Sequence, residues 1–77
     1  MNNLKNLIER ALQDGTKHMF FVKENETHEF YQSKVKEARE ILDLFDNFCN
    51  VDVYKNDNEE EIGIQIEFAK GNDENVL

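Results

Sequence analysis

The chain has 77 residues and a single cysteine, so it makes one domain with no internal disulfide and suits a reducing compartment. Seventeen Asp and Glu against nine Lys and Arg leave a net charge of −8, which argues against direct contact with nucleic acid or an anionic membrane. No apolar run approaches the ~18 residues of a membrane span, and Met1-Asn2-Asn3-Leu4-Lys5 lacks the apolar stretch of a signal peptide; the expectation is a small acidic cytoplasmic protein.

Leu4, Leu7, Ile8, Ala11 and Leu12 recur at the spacing that lines one face of a helix. That helix runs over about 3–14, with Asn2 or Asn3 to cap its start and Gly15 to end it in a left-handed turn. Lys17 to Lys23 then changes period. Met19-Phe20-Phe21-Val22 is apolar at every position and reads as a strand covered on both faces. Glu24 to Thr27 is a polar turn. His28 to Gln32 returns as a second short strand, or else Thr27 caps one long helix, since Tyr31 continues the stripe Val35, Ala38, Leu42, Phe45 and Cys49. A second helix follows from Ser33, its expected N-cap, to about Phe48, with Ile41, Leu44 and Phe48 widening its inner face.

Val51 to Lys55 forms the next strand, and Asn56-Asp57-Asn58-Glu59-Glu60 turns the chain. Ile62, Ile64, Ile66 and Phe68 alternate with Gly63, Gln65, Glu67 and Ala69, the period of a half-buried strand. Gly63 within it marks a bulge, a close backbone approach or a relaxed surface position. The expected fold is α+β, a two-layer sandwich of order α-β-β-α-β-β, with two helices on one face of a four-stranded antiparallel sheet. Residues 1–70 form the domain and 71–77 a frayed tail. The expected core comprises Leu4, Leu7, Ile8, Leu12, Phe20, Val22, Val35, Ala38, Leu42, Phe45, Val53, Ile62, Ile64, Ile66 and Phe68.

Chemistry is sparse. His18, His28 and Cys49 are the only soft metal ligands and are too far apart in sequence for a zinc site. Gly15, Gly63 and Gly71 build no phosphate loop, and no nucleophile has a base beside it in a motif. The expectation is therefore a protein without catalysis, metal or cofactor.

Charge is distributed unevenly. Lys5, Arg10, Lys17 and Lys23 against Glu9 and Asp14 give residues 1–23 a net +2, while residues 24–77 carry −10. In the second helix Lys34 and Lys36 precede Asp43 and Asp46, an order that opposes the helix dipole. Glu40, Asp43 and Asp46 step by three and form a ridge, with charges about 4.5 Å apart along the axis. Asp57, Glu59, Glu60 and Glu61 add a second acidic group in the following loop and strand.

The size, the opening Met1-Asn2-Asn3-Leu4 with Leu7-Ile8-Glu9 leading into helix and strand, and the acidic second half resemble the small inhibitor proteins of bacteriophages and mobile elements, anti-CRISPR proteins and DNA mimics among them. Ten Asn with no Pro or Trp accord with an AT-rich genome. The resemblance implies a non-catalytic inhibitor that occupies the basic groove of a host nucleic-acid-binding protein. On the charge map alone, Glu40, Asp43, Asp46, Asp57, Glu59, Glu60 and Glu61 would face that partner. The alternative is a structural or regulatory module that forms a homodimer or binds protein through apolar surface, with Phe21 and Tyr31 at the interface.

Overall fold

The computed structural model describes residues 3–47 and 50–68. Its elements are α1 (Leu4–Gln13), β1 (His18–Val22), α2 (His28–Leu44), β2 (Asn50–Lys55) and β3 (Glu61–Glu67). The fold is α+β, with an antiparallel sheet ordered β1-β3-β2 and a single core joining it to both helices. Among the described residues the sheet has three strands rather than four, and the order is α-β-α-β-β. The expected tail over 71–77 lies outside the described residues.

The missing strand is the first turn of α2. Thr27 Oγ1 accepts the Phe30 N–H at 3.0 Å, and Glu29 in the first turn favours the helix dipole. Tyr31 settles the competition between strand and helix. Its ring joins the buried stripe with Val35, Ala38 and Leu42, which only a helix places on one side. Its hydroxyl donates to the Lys23 carbonyl at 2.6 Å and accepts the Glu26 N–H at 3.3 Å, tying down the incoming loop. Ser33 is therefore no cap. It lies within the helix, and its Oγ donates back to the Phe30 carbonyl at 2.7 Å.

Both helices end in the same motif. After α1, Thr16 N–H bonds the Ala11 carbonyl and Gly15 N–H the Leu12 carbonyl, with Gly15 left-handed at φ 72°. After α2, Asn47 N–H bonds the Leu42 carbonyl and Asp46 N–H the Asp43 carbonyl, with Asp46 left-handed at φ 54°. These are paired six-to-one and five-to-two closures, and Asp46 stands where glycine is the usual residue. The turn stops α2 at Leu44, short of the expected Phe48. Phe45 consequently leaves the inner face and is exposed, as is Leu44. Phe48 and Cys49 lie outside the described residues.

Register fixes which residues enter the core. Met19 pairs Ile66, Phe21 pairs Ile64, and on the other side Val51 and Val53 pair the same two isoleucines. Directly opposed residues share a face, so Met19, Phe21, Val51 and Val53 turn toward the helices. Phe20 and Val22, expected in the core, are 49% and 52% exposed. Both faces of β1 are apolar, and it is the pairing with β3 that turns the odd residues inward and leaves His18 on the hydrated face. Leu4, Ile8, Ala11, Tyr31, Val35, Ala38, Ile41, Leu42, Val51, Ile64, Ile66 and Phe68 are buried. Ile62 is only half-buried: Tyr54 pairs Gly63 and Lys55 pairs Glu61, so the ladder slips by one residue there.

Candidate interaction surfaces

The seven acidic positions divide into two groups at opposite ends of α2. Glu40 and Asp43 are exposed on its last turns, and Asp46 is exposed in the turn beyond. The expected ridge therefore breaks after Asp43, because Asp46 has left the helix. Only the C-terminal half of the dipole opposition stands as well. Lys34 and Lys36 lie beyond the first turn, whereas the last turn has no basic residue.

Asp57, Glu59 and Glu60 are exposed on the β2–β3 hairpin. Asn56 N–H donates to the Glu60 carbonyl and Glu59 N–H to the Asn56 carbonyl, both at 3.0 Å. Glu59 is left-handed at φ 65°, which closes a three-residue loop at the position that ordinarily takes glycine. The Asn56 side chain organises the loop. Its Oδ1 accepts the Asn58 and Glu60 N–H groups at 2.9 and 3.0 Å, and its Nδ2 donates to Glu60 Oε1 at 3.0 Å.

Glu61 differs from its neighbours. It is half-buried, and both carboxylate oxygens lie 3.0 Å from His28 Nδ1. That contact pins the first turn of α2 to the base of the hairpin. It also measures the separation of the two acidic groups, because Asp43 lies fifteen residues along α2 from His28, roughly 22 Å at 1.5 Å per residue. They do not make one continuous site. The ion pairs among the described residues are Lys23–Glu26, His28–Glu61 and Lys34–Glu37. Glu40, Asp43, Asp46, Asp57, Glu59 and Glu60 take part in none of them.

The sheet face turned away from the helices is a second surface. The alternation and register place His18, Phe20, Val22, Asn50, Asp52, Tyr54, Gly63, Gln65 and Glu67 on it. Phe20 stacks on His18 with centroids 4.8 Å apart, and Tyr54 approaches Phe20 at the same distance across the central strand. Gly63 makes that possible. It faces Tyr54 and Val22 in the ladder and is buried. A Cβ there would fall 2.1 Å from the Phe21 carbonyl oxygen and 2.8 Å from the Val22 Cα. It is a close approach beside a bulge, not a relaxed surface position. The apolar surface in β1 is thus carried by Phe20 and Val22. Phe21 packs partly toward the core and Tyr31 is buried, so these two residues do not supply the exposed apolar surface of β1. Tandem aromatic and β-branched residues conceal which parity is exposed, and only the cross-strand register reveals it.

A shallow cleft of about 440 Å³ opens at one end of this face, lined by His18, Arg39, Asn50, Val51, Asp52, Gln65 and Glu67. Among the described residues no three His, Cys, Asp or Glu converge as a metal site, and no helix is long and apolar enough to cross a membrane. No protein-family model, curated protein or solved structure matches the chain.

Proposed function

We propose that this is a non-catalytic acidic interaction protein, an inhibitor of the phage type, that occupies the basic nucleic-acid-binding groove of a cytoplasmic host protein. One observation carries this reading. Asp46 and Glu59, both exposed and outside the ion pairs among the described residues, occupy left-handed positions where glycine would be less strained. Charge is kept at both sites against backbone preference and, at Asp46, against the helix dipole. Surface carboxylates selected only for solubility have many unstrained positions available. Carboxylates that meet Lys and Arg of a partner are restricted in position, and such contacts steer association and weaken with salt.

The two acidic groups are too far apart to act as one patch, so each is tested separately. Tagged protein is incubated with bacterial lysate, and captured proteins are identified with and without added duplex DNA. Glu40→Lys/Asp43→Lys and Asp57→Lys/Glu59→Lys are compared with the parent; Glu61 is spared because it holds His28. The expected result is capture of a nucleic-acid-binding protein that DNA displaces, with at least a tenfold loss in one charge-reversed pair, about 1.4 kcal/mol. Capture that survives both reversals and excess DNA rules the reading out.

A further inference from the structure

The two edges of the sheet are treated differently by the fold. On β2 the residues bonded to β3 are the even ones, so the N–H and C=O groups of Val51 and Val53 point outward. One group of each is engaged by a side chain. Arg39 Nη2 reaches round from α2 to the Val51 carbonyl at 3.2 Å, and Asp52 Oδ1 accepts the Val53 N–H at 2.8 Å. Blocking an edge with charged side chains is a usual defence against unwanted strand pairing. On β1 the bonds to β3 come from odd residues: Lys17 C=O accepts from Phe68 N–H and Lys23 N–H donates to Ile62 C=O, each at 2.9 Å. The backbone groups of His18, Phe20 and Val22 therefore point outward, and no side chain among the described residues covers them.

We infer that this β1 edge, left open by the described residues, pairs antiparallel with β1 of a second copy, joining two three-stranded sheets into one of six strands. The occupant follows from symmetry and charge. The outward residues are centred on Phe20, so a two-fold axis there pairs Phe20 with Phe20 of the second copy and His18 with Val22. Every outward N–H and C=O of the strand then finds a partner, and the same patch serves both subunits, as a closed dimer requires. The pairing sets Tyr54, Phe20 and their two symmetry mates in one row across the joined open face, extending the existing 4.8 Å Phe20–Tyr54 contact. It also adds cover to half-buried Met19 and Phe21.

The edge belongs to the one part of the chain that is not acidic, since residues 1–23 carry a net +2. Mutual repulsion between copies is therefore weakest here. Lys17 meets Lys23 of the second copy, and that charge is already matched by Glu26 at 3.5 Å. Because apolar contact and backbone hydrogen bonds hold the dimer while the net charge of −8 opposes it, added salt strengthens or preserves association. Binding to a basic partner responds in the opposite direction, so the two proposals fail separately.

The test is sedimentation equilibrium between ~20 μM and ~1 mM, concentrations that suit a small interface, with amide exchange read residue by residue at both. The dimer fraction should rise with concentration, and the His18, Phe20 and Val22 amides should slow in step with it. Val22→Pro removes an outward N–H that no β3 carbonyl uses, a place where an edge strand tolerates proline. Losing one hydrogen bond on each side of the axis should weaken association by about tenfold or more, while Val22→Thr should associate as the parent does. Should the proline variant fail to fold, Phe20→Lys places two cations at the axis without entering the core, and it should be a folded monomer. A monomer at ~1 mM with fast exchange at all three amides overturns the inference. So does a dimer that survives both Val22→Pro and Phe20→Lys.

Discussion

Truncating Ile64 to alanine is expected to destabilise the protein by about 2–5 kcal/mol, at its upper end the whole stability of so small a domain. Ile64 is fully buried on the central strand, opposite Phe21 on one side and Val53 on the other. Three methylene or methyl groups vanish where both neighbouring strands and the helix layer converge. A domain this small has a total stability on the order of 5 kcal/mol, so the loss approaches the whole. Urea denaturation checks it, with Ile62→Ala as the internal comparison. Ile62 is half-buried at the slipped end of the ladder, and its truncation should cost less than half as much.

Gly63→Ala should be nearly as damaging, at roughly 3 kcal/mol, the upper end of overpacking. The added methyl would lie 2.1 Å from the Phe21 oxygen and 3.0 Å from the Phe21 carbon. Both are backbone atoms, so no rotamer change relieves the clash. The edge strand must move away from β3, and its ladder is lost from Phe21 onward. The loss also separates the rings of Phe20 and Tyr54, which meet across the Gly63 position. The near-ultraviolet dichroism that Tyr54→Phe removes should therefore fall together with the denaturation midpoint. An alanine variant with unchanged midpoint and unchanged Tyr54 signal would show that the close approach does not constrain β1.

Much of the fold is legible in the sequence because its elements announce themselves by period. The stripe of Leu4, Ile8 and Ala11 gives α1, Gly15 gives its end, and Ile64, Ile66 and Phe68 give the inner face of β3. Two features are not legible, for different reasons. His28 to Gln32 contains aromatic residues that suit a strand, and helix wins through Tyr31, whose buried hydroxyl satisfies the Lys23 carbonyl five residues before α2 begins. Local propensity contains no such information. The inward parity of β1 is hidden because Phe20 and Phe21 are chemically identical, and the choice rests on partners more than forty residues away. The acidic positions were readable as charges. Their division into two ends of a helix, and the left-handed backbone at Asp46 and Glu59, are properties of the turns that end α2 and join β2 to β3.

Those two turns give the acidic surface its most direct test, the stability and partner capture of Asp46→Gly/Glu59→Gly measured side by side. Glycine relieves both left-handed positions and removes an acid from the negative end of α2. A gain of about 0.5–1 kcal/mol at each site is expected together with weaker capture of the DNA-displaceable partner. A double variant that is more stable and captures its partner as well as the parent would contradict the claim that these carboxylates are held for binding.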